Sequence, residues 1–142
     1  MIVTHTVQIQ AKPETVFAFL VDINNRMKYI PRLKKITMLD ELPIRKGSRY
    51  IELATVAGQL IESTYEVIEF IKNKKITSKT LKSPFPIEVE LVVIPAENGT
   101  SLSIHLEFQL KGIYRLASAI VRGKVEQNAI QILENTKAEL EK

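Results

Sequence analysis

Apolar and polar residues alternate at the start of the chain. Val3, Val7 and Ile9 share one parity and have polar residues between them. This two-residue period is typical of a strand with one buried face. His5 has the same parity, so we expect it on the apolar side of the strand.

Two short helices are predicted after this strand. Pro13 opens the first, because proline at the first helical position gives up no needed hydrogen-bond donor, and Glu14 complements the positive end of the helix dipole. A second helical turn should begin at Asp22 or Asn24, which are both good N-caps. It should end before Pro31, which blocks continuation.

From residue 33 to residue 110 the pattern changes to short alternating runs separated by turn residues. This predicts an antiparallel meander of six strands. Asn98-Gly99 is the strongest turn signal and predicts a hairpin with these two loop residues. The facing pairs that it implies are all apolar: Val93 with Ile104, Leu91 with Leu106, Val89 with Phe108, and Ile87 with Leu110. His105 falls on the opposite, polar face.

The preceding hairpin is predicted at Asn73-Lys74, and its inward positions mix apolar and polar residues. The expected inward set is Ile61, Ser63, Tyr65, Val67, Glu69 and Ile71 on one strand, with Ile76, Ser78, Thr80 and Lys82 on the other. The polar members are the first indication of function, because the neighbouring hairpin is uniformly apolar inside.

Residues 113–142 contain no proline and end in strong helix formers. They predict one long C-terminal helix. Its apolar stripe changes face part-way along, by about 100°, so we expect a bend near Gly123 to join the two halves. Leu116 and Ile120, on the first half, are expected to face the sheet.

Several short motifs, weak alone but consistent in spacing, carry a family resemblance. They are Ala11-x-Pro13-Glu14-x-Val16-Phe17-x-x-Leu20-x-Asp22, Tyr29-Ile30-Pro31, Gly47-x-x-Tyr50, Tyr65-x-Val67-x-Glu69, Gly99-Thr100 and Glu107-Phe108. Together with the element order, they resemble the helix-grip fold of the SRPBCC superfamily, which includes START and birch-pollen-allergen (Bet v 1-like) proteins. Within it they are similar to the polyketide cyclase/dehydrase and lipid-transport branch. Tyr29 stands where relatives often have Trp.

The resemblance implies a single α+β domain over residues 1–142. A seven-stranded curved antiparallel sheet would wrap around the long C-terminal helix, with the two short helices between the first and second strands. It also implies an elongated cavity between sheet and helix for an apolar small molecule. The superfamily shares this container rather than one reaction, so the fold does not select a function.

The amino-acid composition excludes several kinds of site. The 142 residues carry 20 Lys plus Arg against 16 Asp plus Glu, for a net charge of +4. The absence of Cys excludes disulfide scaffolds, thiolate nucleophiles and iron–sulfur ligation. With two His and no clustered carboxylates, we expect no metal and no cofactor. The polar N-terminus and the lack of a long apolar run lead us to expect a cytoplasmic protein.

Three side chains are candidates for proton transfer: Tyr65 as a donor to a carbonyl, Glu69 as a base if burial raises its pKa, and His5 as a proton carrier. Each has a structural alternative. Tyr65 fits a core position with a satisfied hydroxyl, Glu69 fits the rim, and His5 fits an internal hydrogen bond. The structural alternatives are favoured, because charged residues are rarely buried without a partner.

We therefore expect the domain to bind or transport a small hydrophobic or amphipathic ligand, lipid- or polyketide-like, without covalent chemistry. The ligand should enter near the loops of residues 31–43 and 84–86. The expected cavity lining is Ser63, Tyr65, Val67, Ser78, Thr80, Val89, Leu91, Leu106, Phe108, Leu116 and Ile120. Two alternatives stay open: a polyketide cyclase, aromatase or dehydratase-like enzyme, and a protein-interaction module with a collapsed cavity.

Basic residues cluster around the second helix: Arg26, Lys28, Arg32, Lys34 and Lys35. Such a patch could contact an anionic membrane or an acidic protein, since it speeds and orients encounter; a solvated surface is the alternative. No nucleic-acid partner is expected, because no recognition motif interleaves aromatic residues with these charges.

Overall fold

The computed structural model describes residues 1–56 and 58–142. Its strands are β1 (Ile2–Ile9), β2 (Leu33–Met38), β3 (Arg49–Val56), β4 (Gln59–Ile71), β5 (Lys75–Lys82), β6 (Ile87–Ala96) and β7 (Gly99–Phe108). Its helices are α1 (Pro13–Val21), α2 (Arg26–Tyr29) and α3 (Ser118–Leu140), with 3-10 turns at Ile23–Asn25 and Gly112–Arg115. The predicted α+β helix-grip fold is confirmed.

The seven strands form one antiparallel sheet in the order β1-β7-β6-β5-β4-β3-β2. β2 to β7 follow one another as a meander, while β1 crosses to pair with β7. α3 lies on the inner face of the sheet, against β1 and β7. The side chains that it buries there are Val121, Val125, Ala129, Ile132 and Leu133.

The β6–β7 hairpin has the predicted faces but a different register. Leu91 pairs with Ile104 and Val89 with Leu106, two residues away from the predicted partners. The loop residues are Glu97 and Asn98 rather than Asn98-Gly99. A shift of two residues keeps every side chain on its face, so the apolar face was predicted correctly although its pairs were not.

Gly99 explains the shift. It is the first residue of β7 and lies beside the end of β1, where a Cβ atom would be 2.1 Å from the carbonyl oxygen of Ile9. The glycine is therefore required by a close approach of two strands, and Asn98, at φ 65°, takes the left-handed position in the turn. One consequence is that Glu107 faces Glu88, while Glu90 faces His105.

A β-bulge changes the inward set of the β4–β5 hairpin. Val67 pairs with Ser78 but Glu69 pairs with Thr77, so Ile68 is an extra residue in β4. Parity reverses beyond such a bulge. Phe70 therefore turns inward, where its ring meets that of Phe17 edge-on at 5.3 Å.

The predicted inward positions beyond the bulge are consequently wrong. Glu69 lies on the outer face in an ion pair with Lys75, and Ile71 is exposed. Lys82 is also exposed, since a second register shift pairs it with Thr64. The bulge could not be read from the alternation, because Val67 and Ile68 are both apolar.

The C-terminal segment forms one continuous helix, α3, preceded by a separate 3-10 turn. α3 runs through Gly123 without interruption. Leu116 is 92% exposed and Ile120 is 67% exposed, so the prediction that they face the sheet is wrong. A helix on a sheet buries mainly one face, and in α3 that face carries the stripe that contains Val121.

Candidate functional site

A cavity of about 140 Å³ lies between the inner face of the sheet and α3. Most of its wall is apolar, formed by Ile61, Ile76, Val89, Leu91, Ile104, Leu106, Val125 and Ile132. The volume holds on the order of ten water molecules, and apolar cavities of roughly 150 Å³ admit a molecule the size of benzene. The interior is therefore a container of small-molecule size rather than a filled core.

One end of the cavity is polar, and its central feature is an ion pair between Arg26 and Glu52. The Nη2 group of Arg26 donates a hydrogen bond to Oε2 of Glu52. The two side chains are only 14% and 10% exposed. Glu52 faces the interior because it has the same parity as buried Tyr50 on β3. Arg26 is the first residue of α2.

Aromatic rings enclose the guanidinium group. Its carbon lies 5.3 Å from the ring centroid of Tyr50 and 5.6 Å from that of Tyr29, within the range of a cation–π interaction. Nη1 donates to the Tyr29 hydroxyl at 3.0 Å, and that hydroxyl donates to the carbonyl of Leu20 at 2.7 Å. Nε of Arg26 is buried and has no hydrogen-bond partner within the described part of the chain.

Tyr65 stacks on Tyr50, its cross-strand partner, with ring centroids 5.3 Å apart. The Tyr50 hydroxyl interacts with Ser78, and the Tyr65 hydroxyl with Ser63. Ser63 in turn shares a 2.7 Å hydrogen bond with the Ser83 hydroxyl. Two phenol groups and their serine neighbours thus extend the polar end of the cavity along β3, β4 and β5.

Burial keeps these phenols protonated. It raises the pKa of Tyr50 to about 12. Burial also raises the pKa of Tyr65, which the Glu52 carboxylate raises further, and that of Tyr29, although Arg26 offsets part of the shift there. For Arg26, burial disfavours the charge, but the Glu52 carboxylate together with Tyr29 and Tyr50 more than offsets this effect, so the pKa of the guanidinium is well above its ordinary value. At neutral pH the tyrosines are therefore hydrogen-bond donors rather than bases.

The cavity brings together six of the residues expected to line it: Ser63, Tyr65, Ser78, Val89, Leu91 and Leu106. Val67 and Phe108 are buried in the core but are not part of its wall. The Thr80 hydroxyl accepts a hydrogen bond from the backbone of Ile87 at 3.1 Å and is not part of the wall either. Leu116, which is exposed just before α3, and Ile120, which is exposed on α3, are not part of the wall.

Two of the three proton-transfer candidates lie away from the cavity. Glu69 is on the outer face of the sheet, as the bulge requires. His5 is on the inner face, but on the edge strand β1, where its Nε2 lies 3.3 Å from the Glu126 carboxylate of α3. Only Tyr65 is in the cavity wall.

The predicted basic cluster does not form one surface. Arg26 points into the cavity, and Arg32 lines it while donating a 3.0 Å hydrogen bond to Asn128 of α3. Lys28, Lys34 and Lys35 are exposed. Sequence reasoning missed Glu52, a carboxylate at an inward-facing position of a strand. Such a position was a signal for a buried cation, because a buried carboxylate requires one.

Within residues 1–56 and 58–142, no group of three His, Cys, Asp or Glu side chains is arranged to hold a metal ion. Among the helices of the same ranges, none has both the length and the apolarity that a membrane span requires.

The sequence profile of a family described as polyketide cyclase/dehydrase and lipid transport matches residues 1–141. Several solved structures share the fold. TTHA0849 from Thermus thermophilus is 18% identical with a TM-score of 0.86, over 99% of this chain and 97% of that one. The ZhuI aromatase/cyclase from Streptomyces sp. R1128 is 19% identical with a TM-score of 0.80, over 99% and 93%. A START superfamily protein from Mycobacterium smegmatis is 19% identical with a TM-score of 0.77, over 98% of each chain. No curated protein sequence matches the chain.

Proposed function

The chain belongs to the polyketide cyclase/dehydrase and lipid transport family, and we propose that it binds a small, mainly apolar molecule in the cavity between the sheet and α3. The observation that carries this proposal is the cavity itself, about 140 Å³ with apolar walls and one polar end. Ligand sites in proteins combine mostly apolar walls with a few fixed polar groups.

Affinity would come from desolvation of the ligand against the wall residues, among them Leu91, Ile104 and Leu106. Orientation would come from the protonated hydroxyls of Tyr50 and Tyr65 at the polar end. The cavity volume favours a one- or two-ring compound, or a short aliphatic one, over a long-chain lipid that is wholly enclosed.

A cyclase- or dehydratase-like enzyme is the second candidate. It is favoured by the presence of donor phenols and a carboxylate, Glu52, in one cavity, and by the similar fold of the ZhuI aromatase/cyclase. Such a reaction needs a proton acceptor as well as a donor. The ion pair with Arg26 engages Glu52, so binding is the better supported of the two. A collapsed interaction module is disfavoured by the open cavity.

Saturation-transfer difference NMR with 2-naphthol, an uncharged two-ring probe, tests the proposal. We expect a saturable signal that an excess of a second neutral aromatic compound, such as indole, displaces. Failure of both compounds to bind saturably would contradict the proposal. A Tyr65→Phe variant tests the enzyme alternative, since it should keep binding while losing turnover of a reactive polyketone analogue.

A further inference from the structure

We infer that the cavity selects ligands whose polar group is uncharged, such as a hydroxyl or a ketone, and disfavours carboxylates and phosphates. The inference rests on the proposed function and deepens it by naming the class of ligand. It starts from the ion pair between Arg26 and Glu52, which neutralises the one deeply buried cation in the described part of the cavity wall.

Glu52 determines what Arg26 can do. A guanidinium in a largely apolar cavity would be a strong site for a carboxylate, because charge-assisted hydrogen bonds are strongest where water is excluded. Here Nη2 of Arg26 is already occupied by Glu52. An incoming anion would lose its own hydration and would meet the like charge of Glu52, and both effects oppose its entry.

A neutral hydrogen-bond acceptor on the ligand avoids both costs, and hydrogen-bond donors line the cavity. The hydroxyls of Tyr50 and Tyr65 stay protonated at neutral pH, and both residues line the same cavity. A hydroxyl or carbonyl oxygen of the ligand can accept a hydrogen bond from either phenol and brings no charge into the cavity.

Two other cations, Arg32 and Lys124, line the cavity. Lys124 is exposed to solvent, and Arg32 is engaged with Asn128. Both residues are exposed, and their attraction for an anionic ligand is weak because water and salt screen it. These residues therefore do not reverse the preference set by the buried pair.

The experiment compares ligands that share one two-ring skeleton and differ in charge. The probes are 2-naphthol and methyl 2-naphthyl ketone, which are neutral, and 2-naphthoate and 2-naphthyl phosphate, which are anionic at neutral pH. Dissociation constants of the wild-type protein are measured for all four. We expect each neutral probe to bind at least about tenfold more tightly than either anion. Tenfold corresponds to the lower end of the free energy that a hydrogen bond to a charged group contributes.

The Glu52→Gln variant tests the cause of the preference. It keeps the size of the side chain and leaves Arg26 without its counter-charge. Affinity for 2-naphthoate should rise about tenfold or more, so that the preference weakens or reverses. Glu62→Gln is the matched control, because Glu62 is exposed on neighbouring β4 and the change in net charge is the same; its four dissociation constants should equal those of the wild type.

Several results would overturn the inference. One is wild-type binding of 2-naphthoate within threefold of 2-naphthol, which needs no variant to be measured. Another is a folded Glu52→Gln protein with an unchanged preference. Tight anion binding that Lys124→Gln abolishes would place the ligand's charge at the solvent side instead. Each of these leaves the proposed function standing, whereas failure of all four probes to bind would remove the proposed function and the inference together.

Discussion

Tyr50 and Tyr65 face each other across β3 and β4, with ring planes 11° apart and centroids separated by 5.3 Å. This stack lies beside the guanidinium of Arg26, which is 5.3 Å from the Tyr50 ring. Two phenols are thereby held in the wall of a cavity and out of water. Their burial has a measurable consequence at alkaline pH.

The free energy of unfolding should fall as the pH rises above about 10. Burial raises the folded-state pKa of Tyr50 from 10.0 to about 12, so the unfolded chain releases this proton first and is favoured as pH rises. The stabilisation from Tyr50, roughly 3 kcal/mol, is fully present below about pH 10. It is lost progressively as the pH rises from about 10 through about 12. Denaturant melts at several pH values measure it. The Tyr50→Phe variant should show a shallower decline, and an unchanged slope would refute the assignment.

Breaking the buried ion pair from one side should strongly destabilise the fold. Arg26→Met leaves the Glu52 carboxylate buried without its cation, and we expect the free energy of unfolding to fall by about 3–5 kcal/mol. The double variant Arg26→Met/Glu52→Leu should recover most of this loss, since it removes both charges. Urea denaturation checks both.

A half-exposed pair on the outer face of the sheet provides the control for that experiment. Lys75→Met breaks the ion pair with Glu69 on the outer face of the sheet, where we expect a loss of no more than about 1 kcal/mol. Equal losses for Arg26→Met and Lys75→Met would mean that the interior pair is solvated like a surface pair.

Two glycines should respond in opposite directions to alanine. Gly99→Ala places a Cβ against the Ile9 carbonyl oxygen, which belongs to the backbone and cannot move aside, so we expect a loss of more than about 2 kcal/mol. Gly123→Ala adds a Cβ in open space within α3, where alanine should gain about 0.5–1 kcal/mol. Thermal unfolding of the two variants measures this, and a stable Gly99→Ala protein would contradict the close approach of β1 and β7.

These positions also show what the sequence could and could not predict. The apolar face of β6 and β7 was predictable because alternation determines faces. The register was not, because Gly99 was interpreted as a turn residue although its role is to let Ile9 approach. That contact joins residues distant in the chain, and no local pattern encodes it.

The candidate site was only partly predictable for a similar reason. Ser63, Tyr65 and Ser78 share a parity before the bulge, so their common location followed from alternation. Glu69 lies beyond Ile68, and one extra residue moved it to the outer face. Arg26 was assigned to the surface because a basic residue in a short helix usually is exposed; only Glu52, at a buried parity of β3, indicated that the interior needed a cation.

The measurement that tests the central claim most directly fills the cavity from within its wall. Ala54 lines the cavity on β3, whereas Leu53, its neighbour in the same strand, is not part of the wall. Successive side chains of a strand point to opposite faces, so Ala54→Phe should occupy the void and Leu53→Phe should not. We expect calorimetric titration with 2-naphthol to give one-to-one binding to the wild type and to Leu53→Phe, and a loss of at least about tenfold in affinity for a folded Ala54→Phe protein. Equal affinity in all three proteins would show that the ligand binds elsewhere and would contradict the account.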